Sequence, residues 1–554
     1  MLFDRLQTRL RIRRGDQSLR SQIDHVRAYL ESLPVPAQGA APVWLFNAST
    51  RIHRLSLNGA FGLLTAWSLR ASGVPVRQLV CRAGMEQCTL GTQRLHPNAP
   101  PPCRRCSEFS DLLFSGVPET SLRRPAGTDP RTMAIDTLPL AELLHWERDG
   151  LPLGSLVLPT LRWVLRRHDL VDDEPTRRLA RAYLRSASAL AYEFDAALGQ
   201  ERPRALVVFN GILFPEAVAR QRAQRGGVPV FTHEVGLRPF SAFFSAREAT
   251  FREVTPDPGE ALTEAEARRL DEYLHMRFSG RFSMAGIDFW PEMQTPPDWL
   301  EERLSGFRQV VVVFTNVVFD TSQLHANTLF SSMFEWLEEV RAAIARHPET
   351  LFILRAHPDE DRPGKESQQT VSDWFARSGL ASAPNVVFLG PSEYTSSYDL
   401  MRRAKLVLVY NSSVGLEASI AGLPVLCAGR ARYTQVPTVF LPATRREYGL
   451  ALQALLEADT LSVPDVFAAY ARRFLYHELF RASLDLSEFL TDEPGFPGMV
   501  LLRRFDPQRL VDSEALAAIR AGILDGAPFG IRPAPAGRPG RPRRYNPPHE
   551  VESR

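Results

Sequence analysis

The chain has 554 residues, of which 44% are apolar and 23% charged, so it is long enough for more than one domain and for large buried cores. The formal net charge is only +3, and the tail at 531–554 carries six arginines against two glutamates. The rest of the chain is therefore almost neutral, which argues against a nucleic-acid-binding body with its basic face. The tail is rich in Pro, Gly and Arg, a composition that predicts disorder.

The first predicted element is a basic helical segment within residues 1–40. It places Leu2, Leu6 and Leu10 at helical spacing among arginines. This pattern is typical of a solvated helix packed on the body, or of a helix that adheres to an anionic membrane surface. The sequence has no run of 18 apolar residues, and its start lacks the apolar stretch of a secretory signal. We expect a cytoplasmic protein, with peripheral contact at the inner face of the membrane as the alternative.

Residues 41–295 alternate between predicted strands and helices. A strand at 42–49 is followed by the helical stretch "FGLLTAWSLRASG" and by the strand "VPVRQLVC". Later, "RALVVFNG", "PEAVARQRAQRGG" and "VPVFTHE" repeat the same order. Strand, helix and strand at this spacing predict parallel pairing with crossover helices. We expect a Rossmann-like acceptor domain, interrupted by a cysteine-rich loop at 81–106 and a helical insertion at 136–200.

The loop at 81–106 concentrates most of the chain's cysteines. Four of the five occur there: Cys81, Cys88, Cys103 and Cys106. Cys-x-x-Cys is a spacing with which two thiolates hold one zinc ion. The alternatives are a structural zinc site and four reduced thiols. No helix start is evident at Cys103, which disfavours a redox role.

A second alternating set follows the Pro-rich linker "WPEMQTPPDW" at 290–299. Residues 300–445 contain the strands "QVVVVFTN", "TLFILRAHP", "NVVFLG", "KLVLVYN" and "LPVLCAG". Residues 446–530 are predicted to be mainly helical. The whole chain predicts two Rossmann-like, doubly wound α/β domains that face a cleft, with helical insertions and C-terminal helices.

Polar residues collect where these strands end. In open parallel sheets ligands bind beyond the carboxyl ends of the strands. Several polar residues at matching strand ends therefore indicate a site. The residues of the second half are Asn316, Asp320, His357, Asn411, Ser412 and Ser413, and those of the first half are His53, Asn210 and Glu234.

The stretch "NSSVGLE" at 411–417 predicts a helix that begins at Ser412 or Ser413. Its free amides and positive dipole end would favour phosphate, and Gly415 would leave the first turn bare for an anion. Glu417, one turn after Ser413, would lean back toward a sugar hydroxyl. The alternative for this stretch is an ordinary capped helix. The alternative for His357, which precedes a proline, is a histidine whose hydrogen bonds are satisfied in a tight turn.

The pairing of "RAHP" with "NSSVGLEASIAGLPVL" resembles the motifs of capsule polysaccharide biosynthesis proteins, which include the bacterial capsule Kdo transferases. The likeness covers about 310–433, and it implies a GT-B fold whose second domain holds a nucleotide sugar. It implies His357 and the serine pair near the donor phosphate, Glu417 near the ribose, and Asn316 and Asp320 in the same pocket. A CMP-sugar is the favoured donor, with UDP- and GDP-sugars as alternatives, and a glycan or lipid-linked acceptor is expected.

Glycosyl transfer needs a base for the acceptor hydroxyl and neutralisation of the departing phosphate. The strand ends show no DxD metal motif, so we expect metal-independent stabilisation by His357 and by Arg355 or Arg402. Glu234 is the first candidate base and His53 the second, with a salt bridge from Glu234 to Arg238 as the structural alternative. Two other functions stay open: transfer of an alcohol phosphate from a CDP-activated donor, as in teichoic-acid polymerases, and non-catalytic binding of a nucleotide sugar.

Overall fold

The computed structural model describes residues 2–97, 99–124, 130–251, 254, 261–279 and 293–531. The side chains of residues 2–14, 130–132 and 251 are outside this description as well. The predicted tail, from residue 532 on, and the first residues of the predicted linker lie outside the described residues.

The strands fall where uninterrupted apolar runs predict buried parallel strands. They are β1 Val43–Phe46, β2 Val76–Cys81, β3 Glu119–Leu122, β4 Ala205–Phe209, β5 Val230–Val235, β6 Ser241–Ser245, β7 Gln309–Phe314, β8 Thr350–Arg355, β9 Val386–Leu389, β10 Leu406–Val409, β11 Val425–Cys427, β12 Leu484–Asp485, β13 Leu490–Asp492 and β14 Val500–Leu502.

Helices connect these strands and cover both faces of the sheets. They are α1 Leu2–Ser32, α2 Leu57–Ala71, α3 Cys103–Leu113, α4 Leu140–Leu144, α5 Leu153–Leu165, α6 Glu174–Gln200, α7 Glu216–Arg225, α8 Glu264–Phe278, α9 Asp298–Ser305, α10 Met333–Arg346, α11 Val371–Ser378, α12 Ser397–Arg403, α13 Val414–Ile420, α14 Arg445–Glu457, α15 Asp465–Tyr476, α16 Arg509–Asp512 and α17 Glu514–Asp525. A π-helical turn, His477–Ala482, continues α15.

Two sheets form the centres of two units. In the described chain the first has the order β12-β6-β5-β4-β1-β2-β3 and the second the order β11-β10-β7-β8-β9. The second sheet is parallel throughout, and the first is parallel from β3 to β5. The predicted fold is confirmed: both units are Rossmann-like and doubly wound, in a GT-B-like pair.

Side chains alternate between the two faces of each sheet, as period-2 geometry requires. In β1, Val43 and Leu45 enter the core shared with α1 and α2, while Trp44 and Phe46 enter the core shared with α5 and α6. Both faces are therefore apolar, which explains why the strand reads as an unbroken apolar run.

The chain crosses from the second unit back to the first near its end. Helices α8 and α15 pack on the second sheet, because Leu270, Leu274 and Phe474 share its core. The segment from β12 onward returns to the first sheet, where Leu484 and Ile519 pack with α2. Residues 446–530 were predicted to be mainly helical, and they also supply β12, which extends the first sheet, and the hairpin β13–β14.

None of the helices in the described part of the chain combines the length and the apolar composition that crossing a bilayer requires.

Candidate functional site

Both sheets reverse their strand order between two neighbouring central strands, β1 and β4 in the first and β7 and β10 in the second. Such a reversal opens a crevice beyond the carboxyl ends of the strands. In the second unit Asn316 follows β7 and Asn411 follows β10, and the backbone N–H of Asn411 donates to Asn316 Oδ1 at 3.4 Å. The structure thus brings these two predicted residues together.

Asn411 is fixed on its other side by the turn after β7. Its Oδ1 accepts from Gln323 Nε2 at 2.9 Å, and its Nδ2 donates to the carbonyl of Ser322 at 3.1 Å. Ser322 also donates to the carboxylate of Asp320 at 2.8 Å. The exposed carboxylate of Asp320 is therefore held at the mouth of the same crevice.

His357 caps the short turn Pro358–Glu360 after β8. Its Nδ1 accepts from the backbone N–H of Asp359 at 3.0 Å, so in the neutral ring the proton is on Nε2. Removal from water lowers the pKa of His357, and the Asp320 charge opposes that shift. A neutral imidazole with a donor at Nε2 is suited to hydrogen-bond a substrate oxygen.

The two candidate arginines differ. Arg355 ends β8, is 4% exposed and donates to the carbonyl of Gly390. Arg402 is on α12, just before β10 begins, and therefore lies at the opposite edge of the sheet from the strand ends. Its side chain is 66% exposed and pairs with Asp399 on its own helix. The expectation that Arg402 serves the leaving group is wrong, because helix α12 places it on the other side of the unit.

The serine-glycine turn is packed differently from the prediction. A Cβ added at Gly415 would lie 2.4 Å from Tyr433 Oη, which donates to the carbonyl of Ser412 at 2.7 Å. The space expected for an anion therefore holds a tyrosine. Helix α13 has seven residues, Ser413 is exposed, and its side chain makes no capping hydrogen bond. The predicted anion site at this helix start is not supported by its geometry.

Glu417 is occupied by partners within the protein. Its Oε1 accepts from Arg277 Nη2 at 2.6 Å and Nε at 2.9 Å, and its Oε2 accepts from Tyr398 at 2.8 Å. Because Glu417 is 3% exposed, the pair ties α8 to the second unit. The predicted ribose contact is therefore corrected to a buried ion pair.

In the first unit, Glu234 is held by neutral amides. Asn210 Nδ2 donates to its Oε2 at 2.8 Å, and Asn58 Nδ2 and the Val235 N–H each donate to its Oε1 at 2.9 Å. Arg238 instead donates to the carbonyl of Ser483 at 3.0 Å. The alternative of a salt bridge between Glu234 and Arg238 is thus not found.

Glu234 also faces the second unit. Removal from water raises its pKa, and the negative charge of Asp320 adds to that rise. The carboxylate therefore lies within electrostatic reach of the mouth of the second unit's crevice. A half-buried carboxylate that has no cationic partner among the described residues, and that lies across a cleft, has the properties of a general base.

His53 lies on the turn after β1, next to Arg54. Burial lowers its pKa, and the cations Arg105 of α3 and Arg54 lower it further. Among the described residues His53 makes no hydrogen bond to Glu234, so the two candidate bases are not linked directly.

The four clustered cysteines converge. Cys81 ends β2, Cys88 follows in the loop, and Cys103 and Cys106 are on the first turn of α3. Burial raises the pKa of Cys81 to about 11 and that of Cys88 to about 12, and the charges of the neighbouring cysteines in the loop add to both rises. The expectation that no helix begins at Cys103 is wrong, yet burial raises the pKa of Cys103. Among the described residues, no group of three or more potential ligands is arranged to hold a metal.

Sequence reasoning missed Asn58, which is inside α2 with no motif around it. The only sign of Asn58 in the sequence is that it is a polar residue among the buried residues at the start of α2. It also missed Arg166, which reaches the second unit from the helical insertion and stacks on Phe319 at 4.9 Å.

The comparisons concern the second unit most directly. Residues 296–437 match the model of the family described as capsule polysaccharide biosynthesis protein. The predicted resemblance to this family is confirmed over that segment. Among curated proteins none matches this chain.

The similar solved structures have low sequence identity to this chain. One is KpsC of Thermosulfurimonas dismutans, a β-Kdo 2,4 transferase, with 14% identity over 51% of this chain and 80% of that chain and a TM-score of 0.34. Its β-Kdo 2,7 transferase has 15% identity over 58% and 88%, with a TM-score of 0.31. UDP-GlcNAc 2-epimerase of Neisseria meningitidis has 11% identity over 79% and 99%, with a TM-score of 0.23. None of these likenesses assigns a substrate to this chain.

Proposed function

We propose that this protein is a glycosyltransferase that moves a sugar from a nucleotide-activated donor to an acceptor hydroxyl during synthesis of a surface or capsular polysaccharide. The observation that carries the proposal is the position of Glu234 within electrostatic reach of Asp320, at the crevice that His357 also borders. The family match of residues 296–437 supports the class of pathway.

The two units divide the chemistry in this proposal. The Glu234 carboxylate takes the proton of the acceptor hydroxyl, whose oxygen forms the new bond to the sugar carbon. The bond between that carbon and the donor phosphate breaks, and its electron pair stays on the phosphate oxygen. His357 Nε2–H donates to this phosphate, and no step requires a metal ion.

The amides of Asn58 and Asn210 orient Glu234 without neutralising it. A cationic partner would lower the basicity of the carboxylate, whereas amide donors fix its direction and removal from water keeps its pKa raised. In the second unit Asn316 and Asn411 meet beyond the ends of β7 and β10, and we assign them to the donor. The favoured donor is a CMP-sugar, with UDP- and GDP-sugars as alternatives.

Binding of the nucleotide tests the donor site. The variant His357→Ala should weaken nucleotide binding by about 1–3 kcal/mol, because a charge-assisted hydrogen bond to phosphate is lost. Isothermal calorimetry with CMP, UDP, GDP and dTDP measures this. His145→Ala, a change at an exposed histidine after α4, is the matched control.

Unchanged affinity of a folded His357→Ala protein would reject the donor site. Transfer of an alcohol phosphate from a CDP-alcohol to an acceptor hydroxyl, with release of CMP, would instead favour the teichoic-acid type of transfer. Tight nucleotide binding without turnover on any acceptor would favour a non-catalytic assembly protein.

A further inference from the structure

Arg166 reaches from the first unit to the second with part of its guanidinium unsatisfied. It ends α5 in the left-handed conformation, with φ of 56°, and is only 8% exposed. Its guanidinium lies between Trp163, at 4.4 Å, and Phe319 of the second unit, at 4.9 Å. Nη2 donates to the carbonyl of Gly364 at 3.5 Å, whereas Nη1 is buried without a hydrogen-bond partner in the described chain.

A buried guanidinium N–H without a partner is costly, since the group has left water and gained nothing in return. Aromatic stacking compensates the face of the ion and leaves its edge unsatisfied. The edge of a guanidinium is the part that binds phosphate or carboxylate through paired hydrogen bonds. The unsatisfied N–H edge of Arg166 therefore has the geometry to bind an anion.

Other cations surround this edge from both units. Arg94 of the first unit donates to the carbonyl of Glu366 at 3.0 Å, and Arg362 and Lys365 are on the turn that follows His357. Burial, and next the Arg94 cation, lower the pKa of Arg166 to about 10. The pKa of Lys365 is also lowered, first by removal from water and next by Arg362, although the residue as a whole is exposed. Arg94 pairs with the Glu366 carboxylate and Arg362 with Asp359, each at 3.5 Å, so the cluster is partly neutralised. The Nη1 group of Arg166 is still without a hydrogen-bond partner among the described residues, and an anion bound there would also reduce the repulsion between the cations.

We propose that Arg166, Arg94, Arg362 and Lys365 form a phosphate-holding site at the boundary of the two units, and that the phosphate is the one borne by the nucleotide donor. This inference deepens the proposed function and rests on it for the source of the phosphate. The cluster adjoins the donor site because the charge of Asp320 acts on Arg166, on Lys365 and on His357 alike.

The site has a consequence for substrate binding. Arg94 and Arg166 belong to the first unit, and Arg362 and Lys365 to the second. A phosphate held by both pairs joins the units across the cleft, so the donor completes the closed arrangement in which Glu234 faces the second unit. The first unit then contributes to donor binding as well as to acceptor chemistry.

The experiment compares phosphate binding in the full-length wild type and two variants. Arg166→Met keeps an apolar side chain between the two rings and removes the cation, and Arg166→Lys keeps the charge without the planar fork. Arg178→Gln, at an exposed arginine of α6 whose side chain is 57% exposed, is the control. The probes are inorganic phosphate, CMP and cytidine, measured by thermal shift and by calorimetry.

We expect inorganic phosphate and CMP to raise the Tm of the wild type and of the control. In Arg166→Met both should bind about 10–100-fold more weakly, with the lysine variant in between and any binding of cytidine unchanged. The ligand-free Tm of Arg166→Met should equal or exceed that of the wild type, because an unsatisfied buried cation has been removed.

An equal phosphate response in the wild type and Arg166→Met, or no response in the wild type, would overturn the inference. So would a lower ligand-free Tm with intact affinities, which would assign Arg166 to packing between the units. Phosphate binding could depend on Arg166 while CMP binding does not. That result would support the anion site but overturn its assignment to the nucleotide, in favour of a phosphorylated acceptor.

The failure of this inference can be told from failure of the proposed function. If His357→Ala loses nucleotide binding while Arg166→Met keeps it, the donor site stands and the phosphate role of Arg166 falls. If no nucleotide binds but the phosphate response depends on Arg166, the anion site stands and the nucleotide-sugar function falls.

Discussion

In the proposed function, the catalytic part of the first unit depends on a single carboxylate, that of Glu234. Its hydrogen bonds come from the neutral amides of Asn58 and Asn210 and from a backbone N–H, so it is oriented but not neutralised. With its pKa raised, chiefly by removal from water, the ionised form is a stronger base than an ordinary glutamate. We predict that Glu234→Gln keeps nucleotide affinity and lowers single-turnover transfer by about 10²–10⁴-fold.

The pH profile is a second readout for the same residue. The base must be ionised, so kcat/KM should fall as the pH falls through the raised pKa of Glu234, above the ordinary value of 4.5. Glu193→Gln on α6 is the control and should keep the wild-type profile. Near-normal transfer by the Glu234→Gln protein would reject this base and leave His53→Ala as the next variant to examine.

Glu360 gives a stability prediction at the same scale. It is 1% exposed, it accepts from the N–H of Val371 through both carboxylate oxygens, at 3.1 and 3.3 Å, and burial raises its pKa to about 8. In the unfolded chain this carboxyl has a pKa near 4.5, so it loses its proton at a lower pH than in the folded protein. The free energy of unfolding therefore falls as the pH rises from about 4.5 to about 8.

Replacing this carboxyl group should remove the decrease in the free energy of unfolding at high pH. Glu360→Gln keeps an acceptor for Val371 and should be more stable than the wild type by about 1–3 kcal/mol at pH 8, with a smaller difference near pH 5. Urea unfolding at both pH values measures it, with Glu272→Gln at an exposed site of α8 as the control. If the free energy of unfolding changed equally with pH in Glu360→Gln and in the wild type, the raised pKa of Glu360 would be contradicted.

Residue roles were harder to predict from the sequence than residue positions. His357 lies just after β8 and Glu234 near the end of β5, where their places after apolar runs put them, and their shared role in one site stays a prediction. Glu417 and Gly415 occupy the predicted turn as well, but their partners are Arg277 and Tyr433, which no local pattern connects to them. Long-range partners decide whether a polar side chain is available, and a single sequence does not specify them.

At the scale of elements, apolar runs identified the central strands because buried parallel strands are apolar on both faces. The two-residue strand β12 carries no such run, since its pairing with β6 is decided by tertiary packing. Helix α3 was missed because "PPCRRC" opens with prolines, which mark a loop but also suit the first turn of a helix.

The cysteine-rich loop between β2 and α3 leads to a prediction about metal. Two of its turns have the form Cys-x-x-Gly, and in one the N–H of Gly91 donates to Cys88 Sγ at 3.3 Å. Burial outweighs this contact and raises the pKa of Cys88 to about 12, which favours the thiol when no metal is bound. The sequence-based expectation that Cys81, Cys88, Cys103 and Cys106 hold a structural zinc stays a prediction, since among the described residues no group of three or more potential ligands is arranged to hold a metal. Elemental analysis should find about one metal per chain.

The cysteine variants separate this prediction from four reduced thiols. Cys106→Ser should lose the metal and lower the Tm, whereas Cys427→Ala, at the buried cysteine of the second unit, should retain the metal. Metal-free protein, freshly purified under reducing conditions and with all four loop thiols titrating, would establish the reduced form.

At the scale of the whole molecule, two units of the same strand order meet across a cleft, and the chain crosses back to the first unit after α15. Contacts between the units include those of the segment after α5, where the N–H groups of His168 and Asp169 both donate to Gln369 Oε1 at 3.0 Å. The predicted membrane contact through residues 1–40 stays a prediction, because the side chains of residues 2–14 lie outside the described part.

Release of nucleotide during transfer tests the central claim most directly. The purified protein is incubated with CMP-, UDP-, GDP- and dTDP-sugars, with and without glycan and lipid-linked acceptors, and the free nucleotide is measured. The account predicts acceptor-dependent release from one class of donor, lost in both His357→Ala and Glu234→Gln and kept in the exposed-site control variants. Release that is equal in all variants, or binding of a nucleotide sugar without release on any acceptor, would contradict it.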